Sequence, residues 1–114
     1  MTDTTLPPGL HPATLAVREA AARSAYGENS EALFLTSGYV QPTAAASAAR
    51  FAGEEDGYTY GRSGNPTVTS FERRLAAMEG AEACMATSTG MSAIMLMCFS
   101  LLKAGDHVVF SQSM

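Results

Sequence analysis

The sequence predicts an α/β fold, and three neighbouring segments near the end of the chain carry that prediction. Residues 82–88 form a short, largely apolar run of the kind found in buried strands. The next segment, residues 91–102, is apolar almost all round and predicts a helix that is buried at its centre. Residues 107–111 have the composition of a second strand. A strand, a helix and a strand in this order predict a βαβ unit of parallel strands with a right-handed crossover.

A sheet of two parallel strands is too small to be a finished domain, because parallel sheets are covered on both faces and usually contain more strands. We therefore expect residues 1–114 to be the opening portion of a larger α/β protein. By itself such a chain should be weakly stable, since it leaves apolar faces and strand edges open to solvent.

The first part of the chain predicts an extended arm. Pro7 and Pro12 favour extended backbone, and the alanine-rich residues 13–25 favour a short helix within the arm. Residues 31–40 mix strand-forming side chains and end just before Pro42, which indicates a strand-like or irregular segment.

Two helices and two loops are predicted in the middle of the chain. Residues 43–52 are dense in alanine and stop at Gly53, which predicts a short helix followed by an acidic, solvated turn at residues 54–57. Residues 58–66 alternate aromatic side chains, glycines and turn formers, which is too polar for a core and too aromatic for an inert loop.

The clearest helix signal follows this loop. Asn65 is a good N-cap, Pro66 suits the first helical position, and apolar side chains recur at helical spacing over residues 67–78 until Gly80 ends the helix.

The composition is that of a globular protein and disfavours two kinds of partner. Of the 114 residues, 46% are hydrophobic and 16% are charged, which excludes a disordered, collagen-like or coiled-coil chain. The formal net charge of −4 leaves no basic surface for nucleic acid or an anionic membrane. The first five residues lack the features of a secretory signal, and residues 91–102 are too short to cross a bilayer, so we expect a cytoplasmic chain.

Few side chains are available for catalysis. Cys84 and Cys98 form neither a CxxC pair nor a metal-binding pattern, so we interpret them as buried thiols in a reducing compartment. With two histidines and one lysine, a His-based triad, a His-rich metal site or a Schiff-base lysine has very few candidates. Lys103 lies at the end of a predicted helix, before Gly105, where a lysine complements the helix dipole. We therefore identify no catalytic residue and no metal ligand in this chain.

Two features could bind an anion. Gly90 stands at the junction from strand to helix, where free backbone N–H groups and the positive end of the helix dipole attract phosphate. Arg62 could present its guanidinium to a phosphate or carboxylate while Tyr60, two residues away in an extended segment, donates its hydroxyl to the same anion. Taken alone, each is more often structural: a tight connection in the first case, a surface arginine beside a core tyrosine in the second.

Several motifs, read together, resemble one family in order and spacing. They are Tyr60-Gly61-Arg62, Gly64-Asn65-Pro66-Thr67, Phe71-Glu72, Leu75-Ala76, Met78-Glu79-Gly80-Ala81-Glu82, Thr89-Gly90-Met91-Ser92-Ala93 and Ala104-Gly105-Asp106-His107-Val108. This pattern is similar to the N-terminal part of the pyridoxal-phosphate (PLP) enzymes of cysteine and methionine metabolism, with the likeness running from about Leu10 to the end of the chain.

The resemblance implies a fold, an assembly and a set of site residues. It implies an aminotransferase-like large domain of fold type I that begins within residues 58–114, preceded by an N-terminal arm, residues 1–57, that contacts a neighbouring subunit. Members form homo-oligomers, typically tetramers, whose active sites are shared between subunits. Tyr60 and Arg62 would reach into the neighbour's site and bind the cofactor phosphate, which the backbone amides of Gly90 and Met91 would also bind.

The resemblance also implies a reaction. The complete enzyme would replace the acyl group of an activated homoserine by sulfide, giving homocysteine and succinate in methionine biosynthesis. An acetyl donor, cysteine as the nucleophile, or γ-elimination in place of γ-replacement remain alternatives within the family, and a catalytically silent interaction fragment is an alternative of another class.

This sequence departs from the family at several positions. Gly61 replaces a common serine or threonine, Thr89 replaces a common serine, and Ala20 stands where members often have glycine. The lysine that binds the cofactor covalently is not identifiable in residues 1–114, so the chain alone is expected to be inactive.

Overall fold

The described part of the protein consists of four α-helices joined by extended segments and turns. In the computed structural model, which describes residues 6–21 and 23–112, the helices are α1 (Pro12–Arg18), α2 (Ala44–Ala52), α3 (Pro66–Glu79) and α4 (Gly90–Leu101). The residues outside these ranges include the first five, on which the expectation of no secretory signal rests. Among the described residues no helix is both long and apolar enough to span a bilayer.

Helix α1 is shorter than the alanine-rich stretch that predicted it. It begins at Pro12, with His11 accepting a hydrogen bond from the backbone N–H of Ala13, and it packs against α3. The chain leaves the helix at Glu19 and then adopts a left-handed conformation at Ala20, whose φ is 52°. Ala20 is also buried. A positive φ favours glycine, which agrees with the glycine that family members often have at this position.

Helices α2 and α3 confirm the predicted helices and the ends expected at Gly53, Asn65 and Gly80, whereas the cap at Thr43 was not predicted. Thr43 caps α2, and Gly53 ends it in the left-handed region at φ 74°. Asn65 caps α3 with Pro66 at its first position, and Gly80 ends it at φ 64°. These local signals suffice because each satisfies backbone groups that the helix ends leave unpaired.

The core of the described chain is small. The buried residues of α3 are Pro66, Ser70 and Ala76, and Ala20 lies buried beside the end of α1. Large apolar side chains remain exposed along most of the chain. Both cysteines are free thiols and are half-buried, which corrects the expectation that they are buried.

Helix α4 forms as predicted but is not buried. Thr89 caps it by accepting a hydrogen bond from the N–H of Ser92. None of its residues is buried, and Phe99 and Leu101 are 77% and 72% exposed. The prediction of a helix buried at its centre is wrong for this chain, because no sheet packs against it.

The predicted βαβ unit does not form in the described residues. Residues 82–88 and 107–111 have no regular secondary structure and pair with no strand among the described residues. The N–H of Ala86 instead donates to the Glu72 carboxylate on α3 at 2.7 Å. Two isolated parallel strands gain few hydrogen bonds and leave both faces open, so they lack the neighbours that stabilise such a sheet. Residues 31–40 were predicted to be strand-like or irregular, and they are irregular. Gly38 in this segment forms an isolated antiparallel bridge with Tyr60.

Candidate anion-binding site

The loop that carries Tyr60 and Arg62 is a tight turn. The carbonyl of Tyr60 accepts hydrogen bonds from the N–H of Ser63 and the N–H of Gly64, both at 3.0 Å, and from the Ser63 hydroxyl at 2.9 Å. The prediction of an extended segment, which placed Tyr60 and Arg62 on one side by alternation, is therefore wrong. The glycines and the serine of this loop favour a turn over a strand. We call residues 60–64 the anion-binding turn.

The two side chains nevertheless meet. The guanidinium carbon of Arg62 lies 5.3 Å from the centre of the Tyr60 ring, within the range of a cation–π contact. Within residues 6–21 and 23–112, Arg62 forms no ion pair with a carboxylate. Because a ring face does not neutralise the guanidinium, Arg62 retains a positive charge that an anion can use.

The turn is held against the preceding segment through its backbone. Gly61 donates to the carbonyl of Ser37 at 2.7 Å, and Tyr39 donates to the carbonyl of Thr59 at 3.4 Å. A Cβ on Gly61 would come within 2.9 Å of the Thr36 carbonyl oxygen. The close approach of the two segments therefore accounts for glycine at a position where the family often has serine or threonine.

A hollow of about 560 Å³ lies beside the turn. It is lined by Arg50, Phe51, Thr59, Tyr60, Arg62 and Ser63, and no carboxylate is among these residues. Arg62 also lines a second hollow of about 210 Å³ between the turn and α3. The larger hollow offers an anion the guanidinium of Arg62 and hydroxyl donors, while the guanidinium of Arg50 is already paired with Glu55.

The start of α4 offers a different set of donors. The Thr89 side chain caps the N–H of Ser92, while the N–H groups of Gly90 and Met91 have no acceptor among the residues that the structure describes. A Cβ on Gly90 would meet no atom within 4 Å, so an anion could approach these amides closely. Neither of the two hollows lined by Arg62 includes Gly90 or Met91. These two sets of donors therefore do not line a common hollow with Arg62 among the two described above.

Sequence reasoning missed the side chains that hold the turn in place. Gln41 donates to the carbonyl of Tyr58, and Asn65 donates to the carbonyl of Phe34. Asn65 was identified only as a helix cap, and Gln41 carried no signal because an isolated glutamine in a loop has no diagnostic spacing. Lys103 lies beyond the end of α4, where its backbone N–H donates to the Asp106 carboxylate at 2.7 Å.

Comparison with known proteins shows the class to which this geometry belongs. Residues 13–114 match the family of Cys/Met metabolism PLP-dependent enzymes, and the chain belongs to this family. The chain is 57% identical over 100 residues to an O-succinylhomoserine sulfhydrylase from Pseudomonas aeruginosa, covering 88% of this chain and 25% of that protein. It is 49% identical over 109 residues to a protein of the same name from Mycobacterium tuberculosis, covering 96% of this chain and 27% of that protein.

More distant relatives carry other names. An L-methionine gamma-lyase from Porphyromonas gingivalis is 42% identical over 102 residues, covering 90% of this chain and 26% of that protein. A crystal structure of a protein described as an O-acetylhomoserine (thiol)-lyase from Campylobacter jejuni superposes with a TM-score of 0.79 and 28% identity, covering 86% of this chain and 24% of that chain. The chain thus spans about a quarter of the length of the relatives that it matches.

These comparisons confirm the family resemblance, the fold class and the cofactor. The family is PLP-dependent, and the Campylobacter structure contains N'-pyridoxyl-lysine-5'-monophosphate. The four helices are consistent with the start of such a large domain, and the described residues contain no strand. The residues present fit a phosphate group: Arg62 has an uncompensated charge, and the first amides of α4 are unused.

Proposed function

We propose that this chain is the N-terminal quarter of a PLP-dependent enzyme that converts O-succinylhomoserine and sulfide to homocysteine and succinate. The observation that carries this proposal is the 57% identity to an O-succinylhomoserine sulfhydrylase over most of the chain. When bound, the cofactor supplies the electron sink for proton loss from the substrate carbons.

In this proposal the chain contributes orientation rather than proton transfer. Tyr60 and Arg62 of one subunit, together with the Gly90 and Met91 amides of another, bind the cofactor phosphate and so fix the position of the cofactor ring. What supports this division is that, among the described residues, Arg62 pairs with no carboxylate and the Gly90 and Met91 amides have no acceptor. The two hollows beside Arg62 also do not include α4. The proposal requires a homo-oligomer, and we propose a tetramer; light scattering that gave a monomeric mass for the active enzyme would contradict it.

A second candidate is another reaction of the same family. The 42% identity to an L-methionine gamma-lyase supports γ-elimination, and the likeness to an O-acetylhomoserine (thiol)-lyase supports an acetyl donor. Cystathionine γ-synthase chemistry, with cysteine as the nucleophile, belongs to the same group. All of these enzymes would use the same phosphate-binding residues, so the residues described here do not distinguish between them.

The experiment that tests the proposal is a substrate comparison on the full-length protein. O-succinylhomoserine and O-acetylhomoserine are each supplied with sulfide or with cysteine, and methionine is supplied alone. We expect homocysteine and succinate from O-succinylhomoserine and sulfide at the highest kcat/KM. Preference for the acetyl ester, for cysteine, or for release of a thiol from methionine would each replace the proposal by the corresponding sister reaction. A full-length protein that turns over none of them would support a silent interaction module.

A further inference from the structure

A polar pair lies beneath the start of the anion-binding turn. The side-chain NH₂ group of Gln41 donates to the carbonyls of Tyr39 and Tyr58, both at 3.0 Å. Its side-chain oxygen accepts a hydrogen bond from Arg50 Nη1 at 2.5 Å. Because the NH₂ group faces two carbonyls and the oxygen faces a cation, the amide has one favourable orientation. Gln41 therefore connects the backbone at Tyr58 to the side chain of Arg50 on α2.

Arg50 is fixed on its other sides as well. Its Nη2 pairs with the Glu55 carboxylate at 2.8 Å, and its side chain is only 21% exposed. A Cβ on Gly57 would come within 2.7 Å of Arg50 Nε, so the absence of a side chain at that position leaves the space that Arg50 fills. Arg50 thus packs directly under the loop that leads into the turn.

Tyr58 connects the Gln41–Arg50 pair to the anion-binding turn. Its ring lies 5.5 Å from that of Tyr39, centre to centre, and a Cβ on Gly64 would lie 3.2 Å from a carbon of the same ring. Its carbonyl is the one that Gln41 binds. Tyr58 therefore lies close both to Tyr39 and to Gly64, the last residue of the turn.

We propose that Gln41 and Arg50 are positioning residues that hold the anion-binding turn where Tyr60 and Arg62 can reach the cofactor phosphate. This inference rests on the proposed function of Tyr60 and Arg62. Arg50 lines the same hollow as those two residues, but its charge is compensated by Glu55 and one nitrogen is used by Gln41. Arg50 therefore acts through the turn and not on the phosphate.

The expected consequence is a selective loss of affinity. Without the pair, the turn samples other positions, and apparent affinity falls in proportion to the fraction of protein in the binding position, here about tenfold. Only the phosphate contacts the turn in this proposal. The affinity for PLP should therefore fall, while that for pyridoxal, which has no phosphate, should not.

The test uses the full-length protein, freed of cofactor, and measures its affinity for PLP and for pyridoxal by absorbance titration. Arg50→Met and Gln41→Leu each remove one partner of the pair and keep the apolar stem. We expect both to bind PLP about tenfold more weakly, and the double variant to lose no more than either single variant, because the two residues act as a unit. Arg50→Lys should restore part of the affinity, since an ammonium keeps the charge but lacks the planar fork.

Two further variants make the result decisive. Glu54→Gln removes an exposed carboxylate of the same acidic turn that does not pair with Arg50, and it should leave PLP affinity within about twofold of wild type. Arg62→Ala should lose PLP selectively through direct contact. If Arg62→Ala shows this loss and the pair variants do not, the positioning role is overturned while the phosphate assignment stands. If Arg62→Ala shows no selective loss, the phosphate assignment itself fails.

A general structural role gives a different pattern. Variants of the pair that weaken PLP and pyridoxal equally would overturn the inference, because damage to the whole fold does not depend on the phosphate. Circular dichroism of each variant checks that the helices remain, and if Arg50→Met does not yield soluble protein, Gln41→Leu decides alone.

Discussion

At the scale of single residues, Arg62 combines exposure with an uncompensated charge. Its guanidinium rests on the Tyr60 ring, and Tyr60 is itself 44% exposed. A surface arginine without a function loses little when it is removed. An arginine that binds a phosphate forms charge-assisted hydrogen bonds, which are stronger than neutral ones.

We therefore expect Arg62→Ala in the full-length protein to weaken PLP binding by about 1.5–3 kcal/mol, the range for a hydrogen bond to a charged group. Retention of PLP on dialysis, followed by absorbance, measures the effect. Arg18→Ala, at the end of α1, is the matched control for removal of an exposed arginine. Equal retention in both variants would remove the role assigned to Arg62.

A second residue-scale feature is the ion pair between Glu31 and Arg74. Arg74 Nη1 lies 2.7 Å from Glu31 Oε1, and Arg74 Nε donates to the carbonyl of Glu19 at 3.0 Å. The hydrogen bond from Arg74 lowers the pKa of the Glu31 carboxyl below its ordinary value of 4.5, and a backbone hydrogen bond lowers it further. Arg74 thus connects α3 to the end of α1, through Glu19, and to the irregular segment 31–40, through Glu31.

This pairing predicts a pH dependence of stability. Because the pKa of Glu31 is lower in the folded state, its contribution is complete above pH 4.5 and is lost as the pH falls below 4.5 through the lowered value. Urea denaturation of the full-length protein and of Glu31→Gln at several pH values tests this. We expect the difference in free energy of unfolding to shrink as the pH falls. Arg74→Met should show the same profile, and a difference independent of pH would contradict the assignment.

At the scale of elements, the start of α3 serves as both a cap and a cross-link. Asn65 Oδ1 accepts from the N–H of Thr67 at 2.8 Å, while Asn65 Nδ2 donates to the carbonyl of Phe34 at 2.8 Å. The Thr67 hydroxyl accepts from the N–H of Phe34 at 2.9 Å. The helix end is therefore joined to the irregular segment directly after the anion-binding turn.

Substitutions at Asn65 should separate these two roles. We expect Asn65→Ala to lose both and to destabilise the full-length protein by about 1–2 kcal/mol in urea denaturation. Asn65→Ser keeps a side-chain oxygen for the cap but does not reach Phe34, so it should lose roughly half as much. Equal stability of all three proteins would show that neither bond matters.

Helix α4 shows how an element can form without its packing. Its cap and its composition are local, so the helix is present, yet none of its residues is buried. An apolar face of this kind marks a surface that associates with other protein. We expect the rest of the proposed full-length enzyme to cover this helix.

At the scale of the whole molecule, the described chain buries too little to be stable alone. Its buried apolar residues are small, such as Ala20 and Ala76, while large side chains such as Phe71 and Phe99 are exposed. The folding of a domain depends on apolar burial that offsets the loss of chain entropy.

We therefore expect residues 1–114, produced alone, to show no cooperative thermal unfolding and to bind a hydrophobic dye such as ANS. We also expect no turnover, since no lysine in this segment has been identified to hold the cofactor. The full-length protein is the control and should unfold cooperatively. A sharp, reversible transition in a monomeric preparation of residues 1–114 would contradict the expectation.

The sequence by itself determined the features whose causes are local. Gly53, Asn65 and Gly80 indicated three of the four ends of α2 and α3, because caps act within one turn of the chain. The motif around Tyr60 and Arg62, read with that around Gly90, indicated the family and its cofactor, which the comparisons confirmed.

Tertiary structure decided what depends on residues distant in sequence. The two predicted strands, residues 82–88 and 107–111, are unpaired segments in the structure, because a strand needs a partner that the described residues do not supply. The tertiary structure also brought Gln41 and Arg50 together beside Tyr58, at the start of the loop that carries Arg62. No spacing in the sequence reports such contacts, since they arise only when separate segments pack against each other.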